Sequence, residues 1–425
     1  MPNYANRIFR CVSIALATLS LCAAIWHLIR ARTVTVGDGC GWDGVIYCAM
    51  TRGDVVMEPY SRRVLLPWLA GLIPVGSPVT AFQILNAFAL AGLIASALWL
   101  LHTLIGRRAP LRGFAMLATA SMVLLNPWTF HLYLTYPVLT DAASAALALA
   151  WCAAALRRTR LADLGGAVAL ICMSLTREHW SLVAIAAAWI AVVLGLRTWR
   201  WAVGSSAIGI AAMMFAFGQP TDYAAGPLQT VVLHWIQESV SSPSHLARFL
   251  FMVVAGIGFT ALAPLLRPRA VWRERPLLWV CVVALGNAAG SAFAGGDTDR
   301  ILMPSGIILM IVAIALVLRT PDLVLPWGLW VIGTIAIWRP FASAGPDGAS
   351  WLAFYGLRVE PIEVVVTRII NDLSAAALPV ALGALLCLTL PRKWSGAEHA
   401  EPLSLDESIP RDATSLISAD SHGGA

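Results

Sequence analysis

Residues 301–318 read ILMPSGIILMIVAIALVL, an uncharged run closed by Arg300 on one side and Arg319 on the other. Hydrocarbon offers no partner to an unpaired backbone N–H or C=O, so a run of this length reads as a membrane-crossing helix, each crossing taking roughly 20 apolar residues. Working outward from it, comparable runs recur at 11–29, 79–105, 113–128, 138–156, 163–176, 181–196, 202–218, 246–266, 276–294, 323–338 and 366–390. About twelve spans are therefore expected. The whole chain agrees: 59% of its 425 residues are hydrophobic and 12% are charged, where a soluble domain carries about 25% charged residues. A water-soluble fold is excluded, and the predicted class is an all-α polytopic membrane protein with interfacial helices in its outer loops.

The formal net charge of +6 has no basic soluble domain to carry it. It argues against a nucleic-acid partner and reads as a topology signal. Alternate connections hold Arg107, Arg108 and Arg112; Arg157, Arg158 and Arg160; Arg197 and Arg200; Arg267, Arg269, Arg273 and Arg275; Arg319; and finally Arg392 and Lys393. These faces are predicted to be cytoplasmic. The opposite set carries Asp38, Asp43, Asp54 and Glu58, then Asp222 and Glu238, then Asp297 and Asp299, then Asp347, Glu360 and Glu363. Both termini are thus expected inside, in a multi-pass cell-membrane protein. The first run follows Arg7 and Arg10, and no small-residue cleavage site closes it before His27 and Arg30, so an uncleaved first span is expected.

Residues 1–393 form the expected transmembrane domain, with long outer connections at 30–78, 219–245 and 339–365. Residues 394–425 are polar and acidic and are read as a disordered cytoplasmic tail. Within 219–245, Leu228, Val231, Val232, Trp235 and Ile236 recur at helical spacing opposite Gln229, Thr230, His234, Gln237 and Glu238, the pattern of a helix lying in the interface. No phosphate loop, HExxH or CxxC pattern is present. Polar chemistry is expected in the outer loops.

Four segments there carry it. The first loop opens Gly37-Asp38-Gly39-Cys40-Gly41-Trp42-Asp43-Gly44-Val45-Ile46-Tyr47, two carboxylates among glycines that let backbone approach a ligand. A solvated acidic turn is the plainer reading. Cys40 and Cys48 flank Trp42 and Asp43 where disulfides persist, and a bridge between them would stiffen the turn. The other six cysteines lie in apolar runs and read as small core residues. Next comes Glu58-Pro59-Tyr60-Ser61-Arg62-Arg63, whose arginine pair breaks the positive-inside trend. Binding an anionic phosphate would account for it, and so would an interfacial helix snorkelling its charges while Trp68 anchors at the headgroups.

Thr176-Arg177-Glu178-His179-Trp180 joins two short runs with almost no loop, which places three ionisable groups near membrane depth. Such groups are costly there and mark function, the alternative being an Arg177–Glu178 pair that merely neutralises itself. Gly296-Asp297-Thr298-Asp299-Arg300 opens the central run; an N-cap explains one Asp but not Arg300. Asp141, at the start of the run 138–156, reads as a helix cap.

Together these segments resemble the GT-C superfamily, multi-span glycosyltransferases that take a sugar from a polyprenyl-phosphate donor on the outer membrane face. The likeness is carried by Trp42-Asp43-Gly44 with Tyr47, by Tyr60-Ser61-Arg62-Arg63-Val64-Leu65-Leu66-Pro67, by Thr140-Asp141 and Thr176-Arg177-Glu178, and by Gly296-Asp297-Thr298-Asp299-Arg300. The family keeps an essential acid in the first outer loop, a position filled here by Asp38 and Asp43, of which Asp43 matches the Asp-Gly-x-x-Tyr form better. By this resemblance Asp43 would take the proton of the acceptor hydroxyl as it inverts the anomeric carbon. Arg62, Arg63, Arg177 and Arg300 would hold the donor phosphate, and Tyr47, Glu178, His179, Asp297 and Asp299 would contact substrate.

The expected partners are a polyprenyl-phosphate-linked sugar donor, a lipid-linked or cell-envelope glycan or glycolipid acceptor, and membrane lipids. Asp38 with Asp43, and Asp297 with Asp299, offer the oxygen donors a hard cation prefers, but no spacing compels one and no cofactor is expected. Two other classes compete. A transporter or flippase of lipid-linked sugars would show an internal repeat and ionisable residues at span midpoints, whereas the charges here cluster at outer ends. A non-catalytic component of envelope-glycan assembly would share the fold with a dead site.

Overall fold

A computed structural model of the chain describes residues 2–30, 32–106, 109, 111–222, 233–234, 236–237, 240–291, 298–343 and 362–389. It is an all-α bundle. Helix α1 runs Pro2–Arg30, and the first long connection folds into two short helices, α2 (Trp42–Met50) and α3 (Leu65–Leu72), before α4 (Pro78–Ile105). Then come α5 (Arg112–Leu125), a π-helical turn Pro127–His131, α6 (Leu132–Thr135), α7 (Asp141–Ala155), α8 (Arg160–Thr176), α9 (His179–Val193) and α10 (Trp199–Phe217). The second half holds α11 (Pro243–Ile257), α12 (Leu262–Leu266), α13 (Pro268–Trp272), α14 (Arg275–Ser291), α15 (Thr298–Arg319), α16 (Val324–Ser343) and α17 (Ile362–Thr389).

The run with which the sequence was read is the middle of the molecule. Helix α15 is apolar on every side, and 94% of its apolar window is buried, against 22% for α1 and for α17. A helix with no polar face has no solvent side to offer and goes to the centre. α15 packs on α4, α7, α11 and α14. Its Gly306 allows the closest of these approaches: a Cβ there would lie 2.3 Å from the carbonyl oxygen of Gly256 on α11. The outer helices α1 and α17 leave side chains such as Leu21, Ile29, Leu378 and Leu388 exposed, as a lipid-facing surface requires.

The expected count of about twelve spans is not confirmed. Among the described residues six helices, α1, α4, α10, α15, α16 and α17, are long and apolar enough to cross, and eight if each of two bent pairs is one span. The pairs are α5 with Pro127–Thr135, bent by 49°, and α11 with Phe259–Leu266, bent by 75°. Proline at 127 and glycine at 258, with φ 77°, account for the two breaks. The difference has a physical reason. The runs at 138–156, 163–176, 181–196 and 276–294 fold as α7, α8, α9 and α14, of 15, 17, 15 and 17 residues. α7 and α9 are shorter than the roughly 17 to 25 residues of a full crossing, and α8 and α14 stand at its lower limit. The interfacial helix expected around Leu228–Glu238 lies mostly, and the tail 394–425 entirely, outside the described residues.

The arginine-rich end of the bundle is built from cross-caps. Arg197, just past α9, donates from Nε to Ala155 O at 2.6 Å and from Nη2 to Ala154 O at 2.9 Å and to Arg157 O, closing the last turn of α7. Its Nη1 pairs with Asp163 at 2.8 Å. Arg158 returns the favour to Gly195 and Leu196, Arg267 donates to Cys387 O at 2.7 Å near the end of α17, and Arg319 to Leu104 O at the end of α4. The last carbonyls of a helix lack intrahelical partners and carry partial negative charge, so a neighbour's guanidinium stabilises them twice over.

Candidate active site

At the opposite end, the first loop is locked onto the chain that leads into α7. Gly41 has φ 76°, a left-handed value, and a Cβ on it would lie 2.2 Å from the Tyr136 ring. Only glycine fits on both counts. Gly44 N–H donates to the Tyr136 hydroxyl at 3.1 Å, and a Cβ on Gly44 would meet Val138 at 3.0 Å. α2 therefore starts pressed against residues 136–138, with Asp43 in its first turn. A disulfide joins Cys40 to Cys48 across this turn, with Cα atoms 6.5 Å apart.

Asp43 keeps a third of its side chain exposed, 34%, and is held from two sides. Tyr60 donates its hydroxyl to Oδ1 at 2.9 Å, and Arg300 Nη2 stands 3.5 Å from Oδ2. Burial, and then the Asp43 carboxylate, raise the Tyr60 phenol far above its ordinary range, so it remains a donor. The Tyr60 ring meets Tyr47 edge-on at 5.5 Å, and Arg63 Nη1 donates to the Tyr47 hydroxyl at 3.2 Å. Arg63 also lies 3.5 Å from Glu178. Burial works against the Arg63 charge, but Tyr47 and Glu178 more than offset it and keep the guanidinium charged. Burial likewise works to raise the Glu178 carboxyl, and the Arg63 guanidinium overrides it, holding Glu178 below the usual carboxylate range.

Asp141 joins the two halves of the cluster. Its side chain is 3% exposed and pairs with Arg177 through Oδ1 and with Arg300 Nε through Oδ2 at 3.5 Å. A charge buried this deeply is tenable only with such partners. A continuous line results, running Arg177–Asp141–Arg300–Asp43–Tyr60, with Tyr47, Arg63 and Glu178 beside it. Four separate stretches of sequence supply it: the first loop, the start of α7, the α8–α9 turn and the start of α15.

Not every expected residue joins. Arg62 turns away, paired with Glu58 at 2.8 Å and lying over the Phe217 ring at 3.9 Å from its centroid. Asp38 is exposed on a left-handed turn with φ 53°, and no partner engages its carboxylate among the described residues. Asp297 lies outside the described residues, and of Asp299 only the helical backbone is described. His179 starts α9 beside Glu178 and binds Asn287 on α14, Nε2 to Oδ1, at 3.1 Å. Asp141 and Tyr60 entered the sequence reading only inside segments that carry the resemblance, with no role of their own beyond a cap for Asp141, and Tyr136 gave no signal. The clue for Asp141 was a carboxylate at the edge of an apolar run, which demands counter-ions.

Next to Arg62, a mostly apolar cavity of about 420 Å³ opens between Ser61, Leu65, Trp68, Leu175 and Phe215. Among the described residues no group of three or more His, Cys, Asp or Glu side chains is arranged to hold a metal ion. Chemically the cluster offers one accessible carboxylate backed by fixed donors, and guanidiniums already neutralised by carboxylates.

No protein-family model matches the chain, and no curated protein does. Among solved structures, it is similar to the crystal structure of ArnT from Cupriavidus metallidurans bound to undecaprenyl phosphate. The two share 13% identity over 88% of this chain and 76% of that one, with a TM-score of 0.46.

Proposed function

We propose that the chain is an inverting membrane glycosyltransferase that moves a sugar from a polyprenyl-phosphate donor to a lipid-linked or cell-envelope glycan acceptor at the outer membrane face. The observation that carries this reading is the junction at Arg300, which touches the one accessible carboxylate of the cluster, Asp43, and the buried Asp141 at 3.5 Å each. In this reading the acceptor hydroxyl gives its proton to Asp43 while its oxygen forms the new bond to the anomeric carbon. The bond from that carbon to the phosphate oxygen breaks, and its electron pair leaves with the polyprenyl phosphate.

Negative charge thus disappears at Asp43 as it grows on the phosphate. Neutral Asp43 holds Arg300 less strongly, and the guanidinium is released to the leaving group at the moment it is needed. Arg63 and Arg177 are the other phosphate contacts in this proposal. Arg62, engaged with Glu58, is instead placed beside the apolar cavity, which has the polarity suited to the first isoprene units of the lipid. Tyr47, Glu178 and His179 would border the sugar.

The test is transfer from a polyprenyl-phosphate-linked sugar in purified membranes. Asp43→Asn is expected to abolish turnover at unchanged protein level, and Asp38→Asn to leave it intact. Full turnover by Asp43→Asn would overturn the assignment. Substrate counterflow in sealed vesicles without any sugar transfer would mark a transporter instead.

A further inference from the structure

Buried polar side chains in an apolar bundle are costly unless each finds a partner, so a fully enclosed group of them invites the question of what it holds. Between α14 and α15 lies such a group outside the ion-pair cluster. Asn287, Ser291 and Ser305 are each 0% exposed. Asn287 Nδ2 donates to Ser305 Oγ at 2.7 Å, and Ser291 Oγ donates to Asn287 Oδ1 at 3.3 Å. The amide turns its NH2 to Ser305 on α15 and its carbonyl oxygen to His179 Nε2, 3.1 Å away, with Ser291 Oγ 3.5 Å from the same nitrogen.

With the amide so turned, its carbonyl oxygen accepts from a proton on Nε2. Burial, and then the Arg177 guanidinium, push the His179 imidazole down to about 4, so near neutral pH it carries one proton in all. Nδ1 is left with its lone pair. No hydrogen bond to Nδ1 is made among the described residues, and His179 is only partly buried while Asn287, Ser291 and Ser305 are sealed. His179 follows directly on Arg177 and Glu178, which belong to the candidate site.

We propose that Asn287 is a positioning residue that holds His179 as the Nε2–H tautomer, so that Nδ1 accepts a hydrogen bond from a hydroxyl of the bound sugar. The identity of that hydroxyl rests on the glycosyl-transfer reading; the tautomer does not. A site lined by guanidinium donors otherwise recognises oxygens that accept, and an imidazole fixed in this way adds recognition of a group that donates.

The experiment is solid-state NMR of the full-length protein in bilayers, labelled with 15N-histidine, with His179→Gln identifying the His179 signals. At pH 7 wild type is expected to show a protonated Nε2 and an unprotonated Nδ1. Asn287→Leu is expected to lose that preference, and Ser305→Ala, a milder change that frees the amide to turn, to lose part of it. A protonated Nδ1 in wild type overturns the proposal, and so does an Nε2–H tautomer that persists in both variants.

For the ligand, a polyprenyl-phosphate-linked hexose and the same polyprenyl phosphate without sugar are added in turn. Only the sugar-bearing lipid should shift the Nδ1 resonance. Equal shifts from both, or no shift while both are seen to bind, overturn the hydroxyl contact. Failure of either lipid to bind overturns the donor reading and that contact together, while the tautomer stands or falls on the ligand-free spectrum.

Discussion

Asp43 depends on its neighbours for both position and charge, and each neighbour can be removed singly. Tyr60→Phe deletes the 2.9 Å bond to Oδ1 while keeping the ring against Tyr47. Loss of one hydrogen bond to a charged group is worth about 1.5 kcal/mol, so transfer is expected to fall about tenfold with protein level unchanged, read as kcat/KM in the membrane assay. Glu178 gives a pH signature. Its carboxyl is held below its ordinary value of 4.5, so its pairing with Arg63 contributes stability above that pH and loses it as pH falls through the lower, folded value. Wild type should therefore melt higher than Glu178→Gln at pH 7, and the gap should close as detergent-solubilised samples are melted at successively lower pH below 4.5. Arg177, Glu178 and Arg300 were legible in the sequence because charge is scarce and they sit where apolar runs end, whereas Asp43 and Arg63 stood out inside the first outer loop through the Asp-Gly-x-x-Tyr form and an arginine pair against the positive-inside trend. Asp141 did not: an aspartate opening a helix has a sufficient local explanation, and its partner Arg177 is 36 residues away in sequence.

Among the elements, α15 was the most legible and the short helices the least. A run apolar all round specifies both a helix and a central place for it. Runs such as 181–196 specify a helix but not its length: α9 begins just after Arg177 and Glu178 and is 15 residues long. What the pattern of basic residues did not disclose is that they cap helices other than their own. Arg197 engages three carbonyls of α7 and its following turn, so Arg197→Met should lower stability by about 2 kcal/mol through those unpaired groups. A detergent melt would register this as a lower midpoint with transfer unaffected at permissive temperature. An unchanged midpoint would mean that water replaces the cap.

For the whole molecule, the two ends have opposite characters, one closed by arginine cross-caps and the other holding the acid–arginine cluster. The proposed orientation puts the second end outside. In intact cells, Asp38→Cys should react with a membrane-impermeant maleimide above the wild-type background, and Arg273→Cys should react only after permeabilisation; the reverse pattern would invert the molecule. At this scale hydropathy counts twelve apolar runs, of which six to eight are matched among the described residues by helices or bent pairs long enough to cross. The acid–arginine cluster has one more property. Arg63, Arg177 and Arg300 face Glu178, Asp141 and Asp43, so these six groups sum to zero charge before anything binds. A neutral assembly casts almost no field beyond a Debye length of about 10 Å, so it has no means of steering an anionic headgroup from afar. In the proposed reaction, encounter would then be governed by two-dimensional diffusion in the leaflet rather than by ionic strength, and attraction would begin only once a phosphate is close enough to exchange places with a carboxylate.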